Sequence, residues 1–353
     1  MSDTATEAKL AKPAPKTNHI GLTREDYKGG PTTLCAGCGH NAISNHIIQA
    51  AYDAGIDPVT LGKFSGIGCS SKTPAYFISK AHAVNTVHGR MPSIATGALI
   101  ANHNLVGLAV SGDGDTASIG MGQFVHLIRR NVDMVYIIEN NGVYGLTKGQ
   151  FSATADIGSV LKKGVENPFE AIDLCGLAVE LGCGFVARSF SGDKKQLVPL
   201  IQAAFSHKGT AVIDVISPCV TFNDHEGSTK SYDFVKDHDK PLQEIDFIPY
   251  YEEIDVDYEA GNRVDVKLHD GSHLSLKKLD NNYDPTNRVE AMRLVQESRG
   301  EQLLLTGLIY HNPDKPSFEQ VLNLPETAIY GLGESELRVS EEQFNSIMAG
   351  MMG

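Results

Sequence analysis

"SGDGDTASIGMGQFVHLIRRNVDMVYIIENNGVYG", residues Ser111 to Gly145, decides the fold. It follows the apolar run "LVGLAV" (105–110), which suits a strand buried on both faces. Inside it, "SIGMGQFVHLIRRN" has apolar residues at helical spacing, and "DMVYIIE" reads as a second buried strand. Gly-Asp-Gly therefore sits at the tip of one strand and Asn-Asn-Gly at the tip of the next. A strand–glycine loop–helix junction aims free N–H groups and a positive helix end at an anion, commonly a phosphate. Asp113 in that loop would repel a diphosphate unless a divalent cation lay between them, and Asn141 can offer that cation a neutral oxygen. Mg²⁺ suits the pattern, because it takes oxygen ligands octahedrally from one or two protein groups plus phosphates and water. Two plainer readings compete. "GDGDTA" also fits the G-x-G-x-x-A dinucleotide fingerprint, with Glu139 roughly where a ribose-binding acid would stand. An Asp-Gly turn with no ligand is the other. Neither has a use for Asp113 together with the Asn pair.

Outward from this unit the same grammar repeats between Leu34 and Val220. "NAISNHIIQAAYDAG" reads as a helix that stops at Gly55, "PVTLGKF" as a strand and "SIATGALIANHN" as a helix. "NPFEAIDLCGLAVELG" offers Asn167 as N-cap and Pro168 at the first helical position. The strand "FVARSF", the helix "KKQLVPLIQAAFSHKG" and the strand "AVIDVI" follow. Alternation of this kind predicts an α/β fold with a doubly wound, mostly parallel sheet, whose ligands sit at the C-terminal strand ends. After Glu226 the chain becomes acidic and richer in Tyr, with a hairpin signal at Asp270-Gly271 and one amphipathic helix in "NRVEAMRLVQESRGE". The expected division is a disordered tail (1–18), an α/β domain (19–229) and a C-terminal extension (230–353) that packs on the core or on a partner.

A net charge of -13 argues against a nucleic-acid-binding protein, which needs clustered Lys and Arg. No run of 18 apolar residues suggests a membrane span, and the N-terminal residues lack the apolar region of an export signal. A cytoplasmic protein is expected. Six cysteines in such a chain point to metal binding or catalysis rather than a disulfide framework.

Those cysteines divide by context. Cys35 and Cys38 ("CAGCG"), Cys69 ("GIGCSS") and Cys219 ("SPCVTFN") lie in Gly- or Pro-flanked loops, whereas Cys175 and Cys183 lie in or beside an apolar helix, as small core residues do. Four loop thiolates suit a [4Fe–4S] cluster or Zn²⁺. One C-x-x-C pair joined to two distant lone cysteines leans away from zinc knuckles, and unliganded thiols remain an alternative.

The unit Gly112-Asp113-Gly114…Asn140-Asn141 resembles the thiamine diphosphate (TPP) binding motif. Taken in order with C-x-x-C, the Cys69 loop and Ser-Pro-Cys219, residues 31–226 look like the β subunit of a 2-oxoacid:ferredoxin oxidoreductase. That resemblance implies a sheet of the TPP-binding type. It implies that Asp113, the Asn141 side chain and the Val143 carbonyl hold Mg²⁺, with Gly112, Gly114 and Asp115 near the diphosphate. It places Ile67, Gly68, Cys69, Ser70, His88, Gly145 and Leu146 around TPP, and makes Cys35, Cys38, Cys69 and Cys219 the ligands of one [4Fe–4S] cluster. A plainer reading of His88 is a buried, hydrogen-bonded histidine. The activity implied is oxidative decarboxylation of a 2-oxoacid to an acyl-CoA and CO2, or its reversal, with electrons leaving singly to ferredoxin. The family draws the carboxylate that activates TPP from an α subunit, so an αβ or α2β2 assembly is expected. "NGVYGLTKGQ" looks more like the 2-oxoglutarate than the pyruvate branch. Lys72 or Lys148, beside Leu146, could then pair with a distal carboxylate that pyruvate lacks, although either could equally be a plain surface lysine. A non-oxidative TPP-dependent decarboxylase or synthase, and a non-catalytic zinc or Fe–S scaffold, are the alternatives.

Overall fold

The computed structural model describes residues 15–160, 164–223, 228–242, 263–267, 273–277, 283–301 and 303–352. Its strands are β1 (Leu61–Ser65), β2 (His82–Asn85), β3 (Val106–Gly112), β4 (Met134–Asn140), β5 (Val143–Tyr144), β6 (Gln150–Phe151), β7 (Phe185–Phe190), β8 (Thr210–Ile216), β9 (Asp239–Pro241), β10 (Arg263–Lys267), β11 (His273–Lys277) and β12 (Leu304–His311). Its α-helices are α1 (Gly39–Asp53), α2 (Met91–Ala101), α3 (Met121–Arg130), α4 (Leu174–Glu180), α5 (Lys194–Ser206), α6 (Tyr232–His238), α7 (Arg288–Gly300), α8 (Phe318–Leu322), α9 (Glu334–Leu337) and α10 (Glu341–Met352).

Eight strands make one sheet in the order β2-β1-β3-β4-β8-β7-β12-β9. The run from β2 to β7 is parallel throughout, and β12 joins it antiparallel to β7. Side chains alternate across the central strands, so each strand feeds two cores. Val135 and Ile137 face α1 and α5 with Leu108, Val110, Ile213 and Val215. Met134, Tyr136 and Ile138 face α2, α3 and α4 on the other side. That double burial explains the unbroken apolar runs of β3, β4 and β8. The mostly parallel, doubly wound sheet expected from the sequence is the one observed.

Local differences have local causes. Asn167 does not cap a helix; it is buried and donates to the carbonyls of Ala155, Asp156 and Phe169 at 3.1, 3.0 and 2.9 Å. An asparagine that satisfies three loop carbonyls serves the backbone better there than as a cap. Helix α4 starts later, with Asp173 accepting from the amides of Cys175 and Gly176. Between β3 and α3 the chain makes a π-helical turn over Gly114–Ile119, a form that clusters at functional sites. Within residues 230–353, β12 joins the sheet beside β7 and α7 packs on α4. Strands β10 and β11 pair antiparallel; the expected turn at 270–271 lies outside the described residues, as do residues 1–14 of the expected tail. Thr17 pairs with Thr23, and Asn18 donates to the Tyr27 hydroxyl. Among the described residues no helix is long and apolar enough to cross a membrane.

A buried cation stitches the sheet beside the strand ends. Arg188 on β7 donates through Nε to Asp214 on β8 at 3.0 Å and through a terminal nitrogen to Asp173 at 2.5 Å. Asp214 also accepts from Asn140 at 3.0 Å. Removing one partner of a buried pair leaves an uncompensated charge and costs about 3–5 kcal/mol. Arg188→Met, which strands two carboxylates, is therefore expected to lower the unfolding free energy by about that amount in urea titrations of the purified chain. A loss below about 1 kcal/mol would mean that both carboxylates are solvated without the arginine.

Candidate functional site

The strand order brings the motifs together. The loops after β1 (Gly66–Ser70), β3 (Asp113), β4 (Asn141) and β8 (Ser217–Cys219) leave neighbouring strands at the same edge. Helix α1 brings the Cys35–Cys38 turn to this edge, where the Gly39 amide donates to the Pro218 carbonyl at 3.3 Å. A side chain at Gly39 would meet Ser217 Oγ at 2.6 Å and Ser191 Oγ at 2.7 Å, so only glycine lets the helix start so close.

Asp113 lies 1% exposed. Its carboxylate accepts from Thr154 Oγ at 2.7 Å, from Ser152 Oγ and from the Asn141 amide at 3.4 Å. Burial nevertheless pushes its pKa up, since three donors only partly replace water around the charge. The two asparagines have separate tasks, as the alternation at a strand end dictates. Asn140 turns to Asp214 and Thr154. Asn141 Oδ1 accepts the Val143 amide at 3.1 Å, and its amide nitrogen faces His40 Nε2 at 3.4 Å. Asn223, in the stretch "TFNDHEG" (221–227), donates to the Asn141 carbonyl at 2.7 Å.

Asp115 ties three loops. It accepts from the amides of Gly89 (2.8 Å) and Ile67 (3.3 Å) and from Ser111 Oγ (2.7 Å), and it faces His88 Nδ1. A side chain on Gly66 would collide with this carboxylate. Arg90 supports the same loop by donating to the Gly89 carbonyl at 3.2 Å. Tyr144 lies over Gly114, where any Cβ would meet its ring at 2.6 Å, and donates to the Gly114 carbonyl at 2.9 Å.

Between these loops lies a cavity of about 90 Å³. Every cofactor-contact residue expected from the sequence lines it: Ile67, Gly68, Cys69, Ser70, His88, Gly112, Gly114, Asp115, Gly145 and Leu146, with Asp113, Asn141 and Val143. Lys72 and Lys148 are exposed and do not line it. Lys148 adopts φ +80°, a left-handed backbone that a lysine accepts only where the surrounding turn imposes it. A larger cavity of about 620 Å³ opens behind Asn140, around Arg188 and Lys230, whose charges are already met by Asp173, Asp214 and Asp156.

The loop cysteines gather at the edge of the smaller cavity. A Cβ on Gly145 would stand 3.6 Å from the Cys69 sulfur and 3.7 Å from that of Cys219. Cys38 lies within electrostatic reach of both, and Cys69 within reach of Cys35. Thr221 Oγ donates to the Cys35 sulfur at 3.7 Å. Burial pushes the Cys38 thiol up to about 12 and raises that of Cys69, with Glu139 and neighbouring thiols adding to the rise. Among the described residues no three His, Cys, Asp or Glu side chains stand at metal-ligand spacing. Cys175 and Cys183 are buried in the core beside α4.

Two groups in the site were not singled out for it from the sequence. Glu139, the last residue but one of β4, is fully buried, lines the cavity, and has no hydrogen-bond partner on either oxygen among the described residues. Burial holds its pKa well above the usual carboxylate range. His40 is 2% exposed, and burial pushes it down to about 4. The available signal was position: His40 follows Cys38-Gly39, and Glu139 precedes the Asn pair.

This geometry agrees with the similarities of the chain to known proteins. Residues 66–215 match the family described as thiamine pyrophosphate enzyme, C-terminal TPP binding domain, and residues 274–325 match the family of the C terminal of the pyruvate ferredoxin oxidoreductase beta subunit. The β subunit of a Sulfolobus 2-oxoacid:ferredoxin oxidoreductase is 42% identical over 221 residues, 62% of this chain and 70% of the relative. The 2-oxoglutarate oxidoreductase subunit KorB of Mycobacterium tuberculosis is 34% identical over 229 residues, 62% of this chain and 60% of its own length. The solved 2-oxoglutarate:ferredoxin oxidoreductase of Magnetococcus marinus superposes with a TM-score of 0.73 at 29% identity, over 92% of this chain and 96% of that one. With its TPP-type sheet and the motif residues at one edge, the chain belongs to the β-subunit family of the 2-oxoacid:ferredoxin oxidoreductases.

Proposed function

We propose that this chain is the β subunit of a 2-oxoglutarate:ferredoxin oxidoreductase, acting in the cytoplasm with an α subunit, with ferredoxin and with coenzyme A. The observation that carries the reading is the convergence of Asp113, Asn141 and the Cys69 loop on one cavity at the sheet edge, with the Cys219 sulfur close beside its Gly145 wall. Relatives and a solved structure named for 2-oxoglutarate support that substrate over pyruvate.

The residues present fit Mg²⁺ and TPP. Asp113 keeps a buried carboxylate whose pKa burial has raised, a state that a divalent cation would relieve. Asn141 Oδ1 and the Val143 carbonyl would supply neutral oxygens to the cation, and Gly112 and Gly114 line the same cavity, where a diphosphate would lie. Ile67 to Ser70, Gly145 and Leu146 line the cavity and would hold the cofactor there. His88, which faces Asp115, would line the same cofactor space. Cys35, Cys38, Cys69 and Cys219 would hold one [4Fe–4S] cluster, a reading supported by the Cys69 and Cys219 sulfurs both lying beside Gly145 and by the Thr221 hydroxyl that reaches Cys35 from the Cys219 loop. When bound, TPP supplies the electron sink for decarboxylation and the cluster supplies one-electron transfer. Lys72 and Lys148, exposed beyond the cavity, are proposed to pair with the distal carboxylate of the substrate.

Two measurements test this reading. The chain, purified anaerobically with its α partner, is expected to carry iron and sulfide rather than zinc. It should reduce a one-electron dye with 2-oxoglutarate plus coenzyme A faster than with pyruvate. Zinc without dye reduction would sink the proposal, and a preference for pyruvate would overturn the substrate assignment alone. Single substitutions separate the two centres. Asp113→Asn is expected to weaken Mg²⁺-dependent TPP binding by about 10- to 100-fold or more while leaving iron in place. Cys219→Ser is expected to lower iron content and abolish dye reduction while TPP still binds. Calorimetric TPP titration and iron assay on both variants read this out, and unchanged iron in Cys219→Ser would exclude the cluster assignment.

A further inference from the structure

We infer that His40 is a positioning residue for the cation end of the site: it fixes the Asn141 carboxamide so that its oxygen faces the cation. The inference rests on the proposed reading of Asp113 and Asn141 as Mg²⁺ ligands, and it assigns work to a residue of the cysteine turn.

A carboxamide can present either its oxygen or its nitrogen, and only the oxygen serves a cation. Two contacts set the choice in Asn141. The amide nitrogen donates toward His40 Nε2 at 3.4 Å, and the oxygen accepts the Val143 amide at 3.1 Å, leaving one lone pair free. Nitrogen Nε2 must therefore be the acceptor and Nδ1 the protonated nitrogen of the ring. The surroundings supply what that tautomer needs: Ser217 Oγ lies 2.6 Å from Nδ1, and Glu139 Oε2 lies 3.6 Å away.

The imidazole has little freedom to do otherwise. It is 2% exposed, in the first turn of α1. That turn is held by the close approach of Gly39 to Ser191 and Ser217, and the Ser217 amide donates to the Asn140 carbonyl at 2.8 Å. The ring thus spans from the residue after Cys38-Gly39 to the tip of β4, and the metal ligand is oriented by a partner that is itself oriented.

The test uses the complex of this chain with its α partner, kept anaerobic, and follows TPP binding by calorimetry at a series of Mg²⁺ concentrations. In His40→Phe, which cannot accept the amide proton, the Mg²⁺ needed for half-maximal TPP binding should rise about 10- to 100-fold, with TPP affinity recovered at saturating Mg²⁺. Iron content and melting temperature should stay those of the parent complex. His40→Gln, whose carbonyl can accept from Asn141, should return most of the shift. Ser217→Ala should shift the Mg²⁺ dependence in the same direction by less. In an Asn141→Asp background there is no amide to orient, so adding His40→Phe should shift the Mg²⁺ requirement little further.

Unchanged Mg²⁺ dependence in both His40→Phe and Ser217→Ala would overturn the assignment. So would a loss of TPP binding equal at all Mg²⁺ concentrations, or a loss of iron in step with it, because either marks His40 as a strut for the cysteine turn. Absence of Mg²⁺-dependent TPP binding in the unsubstituted complex would instead refute the underlying ligand reading.

Discussion

The arrangement of this molecule turns on one buried carboxylate. Asp113 stands at the end of a central strand, 1% exposed, with a hydroxyl pair and one amide in place of water. A charge there is costly unless a cation completes its shell. The neighbouring structure reads as support for that group. Ser152 and Thr154 return in the loop after β6 to donate to it. Thr154 also approaches Asn140, which reaches Asp214 and through it Arg188, so the site is braced from the middle of the sheet.

Close approach is the second constraint, and glycine is how the sequence meets it. Gly66 lies against Asp115, Gly114 against Tyr144 and Gly39 against the Ser217 turn. Each contact draws two segments distant in sequence to a separation that a Cβ would not permit. The result is a small cavity lined by Gly68, Gly112, Gly114 and Gly145 among its loop residues.

How much of this could be read from the residues follows from the range of the interactions. Strands β3, β4 and β8 announced themselves through apolar runs, and the two strand-tip motifs through glycine beside Asp and Asn. Those are local signals, and parallel topology then carries their tips to one edge. Asn167 misled because its local pattern matches a cap, whereas its partners are carbonyls at 155 and 156. His40 and Glu139 were harder, since a buried histidine or an acid at a strand end has many ordinary uses. Only contacts across distant sequence, such as His40 with Ser217 and Asn141, distinguish them. The entry of β12 beside β7 is likewise a long-range pairing that no local pattern encodes.

Gly145 joins the two halves of the proposed chemistry. It lines the cavity, and a Cβ on it would lie in contact range of the sulfurs of both Cys69 and Cys219. Cys69 itself lines the cavity. In the proposed reading, Gly145 and Cys69 together form the boundary between the cofactor space and the cluster ligands, and a methyl group at 145 would rest in contact with both sulfurs. The turn that follows, with Lys148 at positive φ and Gly149 close against Phe222, keeps that boundary in place. In the proposed reading, electrons that leave the cavity singly would cross only this boundary to reach the neighbouring thiolates.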